Sequence, residues 1–300
     1  MAFNLDIRTL SFASAVIAAV LFGYLLHLQL TRKTYPGFGL WTLAALSAGV
    51  GLILVGLRGL TPDLITVVSA NFFIILAMML VYRGMAIFCG QRPKVWPDAG
   101  LMIAFLGLIC WFTYGPASVN WRIIIFSLLN SYYALRAARL AAVEGAALLG
   151  SRNWQLIGTL AGLGAFFLLR AALTFLWEHQ LADLMAAGAL HALTFLVSFV
   201  GHILTFTGLV FLNIQRLELD LTTAQHQVRQ LSGLLPICAH CKRIRDDGGQ
   251  WQQVEKYISA RSDAGFTHGI CPQCLAELYP EVTPAVRAGA SGDQPPTPVA

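Results

Sequence analysis

The fold class this sequence predicts is an all-α polytopic membrane protein: seven transmembrane helices, a helical coiled-coil connector and a small treble-clef-like zinc module. Three observations predict it. Of 300 residues, 57% are hydrophobic and only 12% are charged, whereas a soluble protein carries roughly 25% charged residues. The charges are also segregated, with 12 Lys/Arg and 6 Asp/Glu in residues 1–212 against 8 and 9 in the remaining 88. Finally, four of the six cysteines form two CxxC pairs in that polar remainder.

The positive excess belongs to the apolar part, as it does in the loops of membrane proteins, so no nucleic-acid-binding surface is expected. The chain divides into a transmembrane domain over 1–212, a signalling helix over 213–233, a zinc module over 234–281 and a disordered tail over 282–300.

A spanning helix needs about 20 apolar residues, because hydrocarbon offers backbone groups no partner. The expected spans are 9–30, 39–57, 64–88, 99–114, 119–135, 155–177 and 190–212. The first lacks a basic leader and a small-residue cleavage site, so it is expected to stay as an anchor. One set of loops holds Arg32, Lys33, Arg83, Arg92, Lys94, Arg136, Arg139 and Arg152, the other only Arg8, Arg58 and Arg122. This bias places the N-terminus outside and the tail in the cytoplasm. The fourth and fifth spans are short, and Arg122, Arg136 and Arg139 near the ends of the fifth must snorkel. Losing both as a re-entrant hairpin leaves the tail cytoplasmic.

Ionisable residues inside spans are candidate functional groups, because a charge at the bilayer centre costs at least about 2.5–3.5 kcal/mol. Arg170 falls in the outer half of the sixth span. His191 and His202 fall on one face of the seventh, about 16 Å apart. An outer ligand-sensing site at Arg170, His191 and His202 is one reading, helped by Glu178, His179 and Asp183 in the adjoining loop. The other is that these groups only bond helix to helix. Haem held by two of His27, His191 and His202 is disfavoured, since His27 and His191 differ in depth.

After the last span, Ile214, Leu217, Leu221, Ala224, Val228, Leu231 and Leu235 recur in steps of three and four, an a/d seam between polar residues. With no Pro or Gly over 209–232, it continues the seventh span as one helix. A parallel homodimer is favoured over packing along the chain's own cytoplasmic face. Gly233 and Pro236 end the helix.

The pairs Cys238/Cys241 and Cys271/Cys274 enclose 29 residues. In a reducing compartment four such thiolates close a tetrahedral structural Zn²⁺ site more readily than they form disulfides. Asp247, Gly248 and Gly249 supply a hairpin turn, and Val254, Tyr257 and Ile258 give a short helix one apolar face. Pro272 suits the first turn of another helix, placing Cys271 and Cys274 at its start. Lys242, Arg243 and Arg245 offset part of the negative charge of a four-thiolate centre, while His240 and His268 are possible outer partners of the site. A thioredoxin-type redox pair is disfavoured, since no βαβ unit surrounds the motif.

Residues 235–281, with LPICxxCKxIRDD, GxW, YI, FTHGICPxC and LYP elements, resemble a small cysteine-rich module at the C-termini of bacterial signalling proteins. There it follows PAS, GAF or receiver-type input domains. Asp6-Ile-Arg-Thr-Leu, the stretch Tyr35 to Trp41 and the stretch Leu57 to Asp63 are more loosely similar to membrane input regions that precede diguanylate cyclase domains. The resemblance implies a signalling protein of a bacterial inner (plasma) membrane. This chain departs from the pattern at the output end, where no GGDEF signature, kinase phospho-acceptor segment or P-loop appears.

The sequence is therefore expected to encode a sensor rather than an enzyme, acting through an unidentified cytoplasmic partner. The alternative is a transporter or permease with a regulatory zinc tail. Against it stand the lack of an internal repeat and of paired Gly/Pro-broken spans.

Overall fold

The computed structural model describes residues 7–177, 189–232, 236–246, 248–260 and 265–280, the side chains at 177, 189–191 and 226–232 excepted. The chain divides into two compact units, Met1–Ala224 and Gln225–Ala300. Leu235, Asp247 and the expected tail over 282–300 lie outside the described residues.

The first unit is helical: α1 (Ile7–Thr31), α2 (Phe38–Gly56), α3 (Ala70–Phe88), α4 (Trp96–Tyr114), α5 (Val119–Leu140), α6 (Ala146–Leu149), α7 (Trp154–Trp177) and most of α8 (Ala189–Ser232). Leu64–Ser69 is a π turn that runs directly into α3, and a second π turn, Ala141–Gly145, joins α5 to α6. Six of the helices are long and apolar enough to cross a membrane. They fall on six of the seven expected spans and make this a multi-pass membrane protein.

The helix that differs is α5. Its 22 residues reach about 33 Å at 1.5 Å per residue, a spanning length, but its sequence is too polar to count among the six. The structure shows where that polarity goes. Ser127, Asn130, Ser131 and Tyr133 are buried, and α5 packs against α3, α4 and α7. Ser131 Oγ donates to the Gly164 carbonyl of α7 at 2.8 Å. A helix whose polar groups meet protein does not need an apolar circumference. The helix also runs five residues past the expected end at 135, and Arg136 is held by protein. Its guanidinium lies 4.3 Å from the Tyr82 ring and donates to Tyr132 Oη at 2.8 Å, a cation on aromatic faces.

Small residues let the helices approach closely. A Cβ on Gly84 of α3 would meet the indole of Trp41 on α2, whose Nε1 donates to the Val81 carbonyl at 3.3 Å. Gly37, at φ +98°, turns the chain into α2 with its Cα facing the Gly84 carbonyl, where a side chain would clash. On α8, Gly201 abuts Leu163 and Gly208 abuts Leu156 of α7, which fixes an antiparallel register between the two helices.

One ion pair ties three helices. Arg83 Nη1 of α3 donates to Asp98 Oδ2 in the first turn of α4 at 2.6 Å, and Tyr133 Oη of α5 donates to Asp98 Oδ1 at 3.3 Å. Asp98 is 4% exposed. Arg83 also donates to the Lys94 and Pro93 carbonyls, both at 3.2 Å.

The boundary between the units falls at Ala224, inside α8, and not at 212 where composition changes. The physical reason is that Asn213, Arg216 and Asp220 still bond to the first unit. In the second unit, β1 (Ile244–Arg245) pairs antiparallel with β2 (Trp251–Gln252), followed by α9 (Val254–Ser259) and α10 (Pro272–Leu278). Among its described residues Ile244 is the one buried hydrophobic side chain.

Removing one partner of the Arg83–Asp98 pair leaves a buried charge, a loss of about 3–5 kcal/mol. Asp98→Asn is therefore expected to lower the denaturation midpoint of the solubilised protein sharply, and Arg83→Met combined with Asp98→Leu to be milder than either single change. A midpoint unmoved by Asp98→Asn would show that the pair does not hold the three helices.

Candidate functional site

Inside the first unit the helices enclose a cavity of about 120 Å³ walled by α2, α3, α5, α7 and α8. Its surface is largely apolar, with Ile74, Met78, Phe126, Leu163 and Phe167 among the wall residues. Three arginines from separate elements line it: Arg58 from the turn after α2, Arg122 from the first turn of α5, and Arg170 from α7. None of the lining residues among those described is acidic. Arg170 is buried and donates to Ser127 Oγ of α5 at 3.4 Å. Arg122 donates to Thr113 Oγ1 of α4 at 3.5 Å, and the Arg58 carbonyl accepts from Arg8 Nη2 at 3.0 Å.

The side of the cavity formed by α8 carries Thr194, Ser198, His202, Thr205 and Phe206. His202 stacks on Phe206 with ring centroids 6.4 Å apart, and its Nδ1 lies 2.6 Å from the Ser198 carbonyl. Thr205 Oγ1 is buried and has no hydrogen-bond partner among the described residues.

Of the expected sensing residues, Arg170 and His202 thus line one cavity. His191 lies on α8 with its side chain outside the described set, as do Glu178, His179 and Asp183 altogether. His27 is exposed on α1, which contributes nothing to the cavity wall, so the structure does not bring it to His202 as a haem pair. Arg58 and Arg122 were read from the sequence only as outer-loop charges. The signal that they belong with Arg170 was their shared depth, since all three fall toward the same end of the bundle.

Below the cavity, α8 is clasped to the segment between α1 and α2. Asn213 Oδ1 accepts from the Tyr35 backbone N–H at 3.1 Å while its Nδ2 donates to the Lys33 carbonyl at 3.4 Å. Asp220 Oδ2 accepts from Tyr35 Oη at 2.6 Å and from Lys33 Nζ at 3.1 Å. Arg216 lies 4.5 Å from the Tyr35 ring centroid and donates to the Phe88 carbonyl at 2.7 Å. The Lys33–Asp220 pair is solvent-exposed, where screening leaves an ion pair little net worth. The buried Tyr35 and Asn213 do more of the holding.

Asn213, Arg216 and Asp220 occupy one face of α8. Ile214, Leu217, Leu221 and Ala224 lie roughly a quarter turn away at 100° per residue, all exposed, Leu221 at 57%. The described part of the seam is therefore not consumed by packing on the chain's own bundle. Val228 and Leu231 lie on α8 with side chains outside the described set.

In the second unit each CxxC pair is formed locally. The Cys238 N–H donates to the Arg243 carbonyl at 2.8 Å and the Lys242 N–H to the Cys238 carbonyl at 3.0 Å. Lys242 sits at φ 58°, in the left-handed region, a conformation costing about 1–2 kcal/mol for a residue with a side chain. The turn aims the N–H groups of Cys241 and His240 at Cys238 Sγ, holding its thiol below the usual range. Cys271 caps the N-terminus of α10, with Pro272 beginning the first turn as expected. Its Sγ accepts from the Cys274 N–H at 3.4 Å, which likewise lowers the thiol. His240 and His268 are exposed. Among the described residues no three His, Cys, Asp or Glu side chains form a metal-holding group, so the two pairs stand as separate halves.

Comparison with protein-family models, with curated proteins and with solved structures finds no match to this chain.

A thiol with a lowered pKa keeps its reactive thiolate as pH falls, and one with a raised pKa loses it. Burial pushes Cys89, just beyond α3, up to about 11. In chelator near neutral pH, Cys238 and Cys271 are expected to be alkylated at least about tenfold faster than Cys89, with added Zn²⁺ protecting both. Mass spectrometry of the time course checks this, and equal rates for the three thiols would refute it.

Proposed function

We propose that the protein is a membrane sensor without a catalytic output, in which the arginine-lined cavity receives a signal, α8 transmits it and a zinc-loaded cysteine module offers it to a cytoplasmic protein. One observation carries this reading. α8 walls the cavity with Thr194 to Phe206 and continues as a single helix to Ser232. Cys238 follows six residues later. A displacement of the cavity wall is then a displacement of the connector, with no flexible joint in the helix to absorb it.

Three finer elements belong to the proposal. First, α5 is taken as a seventh crossing, supported by its length and inward-facing polarity. With the Lys/Arg bias this puts the N-terminus outside and the tail in the cytoplasm, across a bacterial inner membrane. Second, two copies pair in parallel through Ile214, Leu217, Leu221 and Ala224, extended by Val228, Leu231 and Leu235. The exposure of the first four beside a face already clasped supports that arrangement.

Third, Cys238, Cys241, Cys271 and Cys274 bind one Zn²⁺. The donor set fits, since each half is pre-bent with backbone N–H groups directed at a sulfur, although four-fold ligation requires the halves to close on one another. Zinc would supply a fixed tetrahedral tie where Ile244 is the one buried apolar side chain among the described residues, making metal binding part of the folding free energy.

Reporter fusions after Arg216 and within the loop at 178–183 are expected on opposite sides of the membrane. Finding both on one side would reject the seven-crossing topology. Inserting four residues between Ala224 and Val228 advances the helix by about 40° net and 6 Å, whereas seven residues nearly preserve its register. Four are expected to lock or invert output and seven to retain it, read by partner capture or by crosslinking between Leu221→Cys copies. Equal behaviour, or a monomer in native membranes, would make α8 a tether and shift weight to the transporter alternative.

A further inference from the structure

Three polar side chains of the cavity wall come from three helices and share one hydrogen-bonding pattern. Asn71 Nδ2 of α3 donates to the Val67 carbonyl at 2.7 Å, and Asn130 Nδ2 of α5 donates to the Phe126 carbonyl at 3.3 Å. His202 Nδ1 of α8 donates to the Ser198 carbonyl at 2.6 Å. Each accepting carbonyl lies one helical turn earlier on the same helix. A carbonyl only accepts, so each amide turns its NH₂ toward it and the imidazole carries a proton on Nδ1. In the neutral ring Nε2 of His202 is then an acceptor and nothing else. The two amides keep Oδ1 as an acceptor and one N–H as a donor. Among the described residues none of these remaining groups has a hydrogen-bond partner.

We infer that the cavity binds an uncharged, ring-sized molecule carrying a hydroxyl group, which donates to His202 Nε2 and meets the amides of Asn71 and Asn130. The inference rests on reading the cavity as the sensory site and names the class of its ligand. A hydroxyl both donates and accepts, so it answers Nε2 and an amide together, whereas an ether or a ketone leaves Nε2 unanswered. Side chains such as Ile74, Met78, Phe126, Phe167 and Phe206 make the rest of the wall largely apolar, and an unpaired charge is costly there. An ammonium finds no carboxylate among the described lining residues. An anion brings only acceptors to Nε2, and Arg58, Arg122 and Arg170 already have partners. The volume of about 120 Å³ suits one ring, since an apolar cavity of about 150 Å³ takes up benzene. Water can serve the same polar atoms, but only the ring also covers the apolar wall.

The test is photolabelling of the full-length protein in phosphatidylcholine nanodiscs with a benzyl alcohol that carries a diazirine on its ring, the labelled residues being mapped by mass spectrometry. Label is expected to concentrate on the wall segments Ile74 to Val81, Phe126 to Asn130 and Phe195 to Phe206. Unmodified benzyl alcohol should suppress it. Benzyl methyl ether keeps the ring and loses the donor, and should compete about tenfold less well, the usual scale for an unanswered buried acceptor. Equal competition by the ether would overturn hydroxyl recognition. Stronger competition by benzylammonium or benzoate than by the alcohol would overturn the uncharged class, and label spread evenly over lipid-facing residues would overturn the site entirely. His202→Phe keeps a ring against Phe206 and removes Nε2, so the alcohol is expected to lose its advantage over the ether there. An unchanged ratio would remove His202 from recognition. Should that variant fail to fold, Asn71→Leu, at the more accessible of the two amides, is expected to lower the same ratio, and a ratio left at its native value would remove Asn71 instead.

Labelling is read on the protein alone, so its outcome separates from that of the sensor reading. Benzyl alcohol that occupies the cavity without altering Leu221→Cys crosslinking would count against the sensor and leave the ligand class standing. Crosslinking that responds to another stimulus while the cavity takes no label would do the reverse.

Discussion

A polar group withdrawn from water has to be answered inside the protein, and this requirement fixes the arrangement of the helices. Lipid tails are as apolar as leucine, so hydrophobic burial does not choose between one register of two helices and another. Hydrogen bonds do. Ser11 Oγ of α1 donates to the Leu52 carbonyl of α2 at 2.6 Å, and Ser47 Oγ of α2 to the Phe73 carbonyl of α3 at 2.7 Å. Arg83, Asp98 and Tyr133 join α3, α4 and α5, and Ser131 joins α5 to α7. Asn153, at the start of α7, donates to the Gly208 carbonyl of α8 at 3.2 Å, and Asn213 returns α8 to the α1–α2 segment. The bonds form a closed circuit. Apart from the ion pair, such bonds are worth only about 0.6 kcal/mol each on average, but together they bias every pair toward one register.

The circuit surrounds the cavity. Part of the inward polarity of α5 is spent on its neighbours, as at Ser131 and Tyr133, and mostly apolar side chains of α3, α5 and α7 line the space between. α8 belongs to both worlds. Its first turns close the cavity, its middle is clasped by Asn213, Arg216 and Asp220, and its exposed apolar seam begins on a different face of the same turns. The change from membrane wall to connector is thus a change of face on one helix, and no break in the backbone marks it.

Much of this was legible in the sequence. Hydropathy located α1 to α4, α7 and the beginning of α8, because lipid contact imposes a run of apolar residues whatever the tertiary packing. It located α5 less well, ending it at 135, since a helix that buries Asn130, Ser131 and Tyr133 against protein carries no lipid signature over its full length. Pro272 foretold the helix that it begins, a local matter of a few residues. For Arg58, Arg122 and Arg170 only the shared depth was legible; that they line one cavity was not, because it depends on which ends of non-adjacent helices converge. The Asn213 clasp was hidden for the same reason: its partners are 178 and 180 residues away in the chain.

Gly201 has a consequence of another kind. It lines the cavity and, two turns above Gly208, is where α8 rests on Leu163 with no room for a Cβ. A larger residue at 201 meets the Leu163 side chain, which lines the same cavity. A substitution at that glycine is therefore passed to the cavity wall through a leucine on the facing helix, without touching an arginine or Thr205.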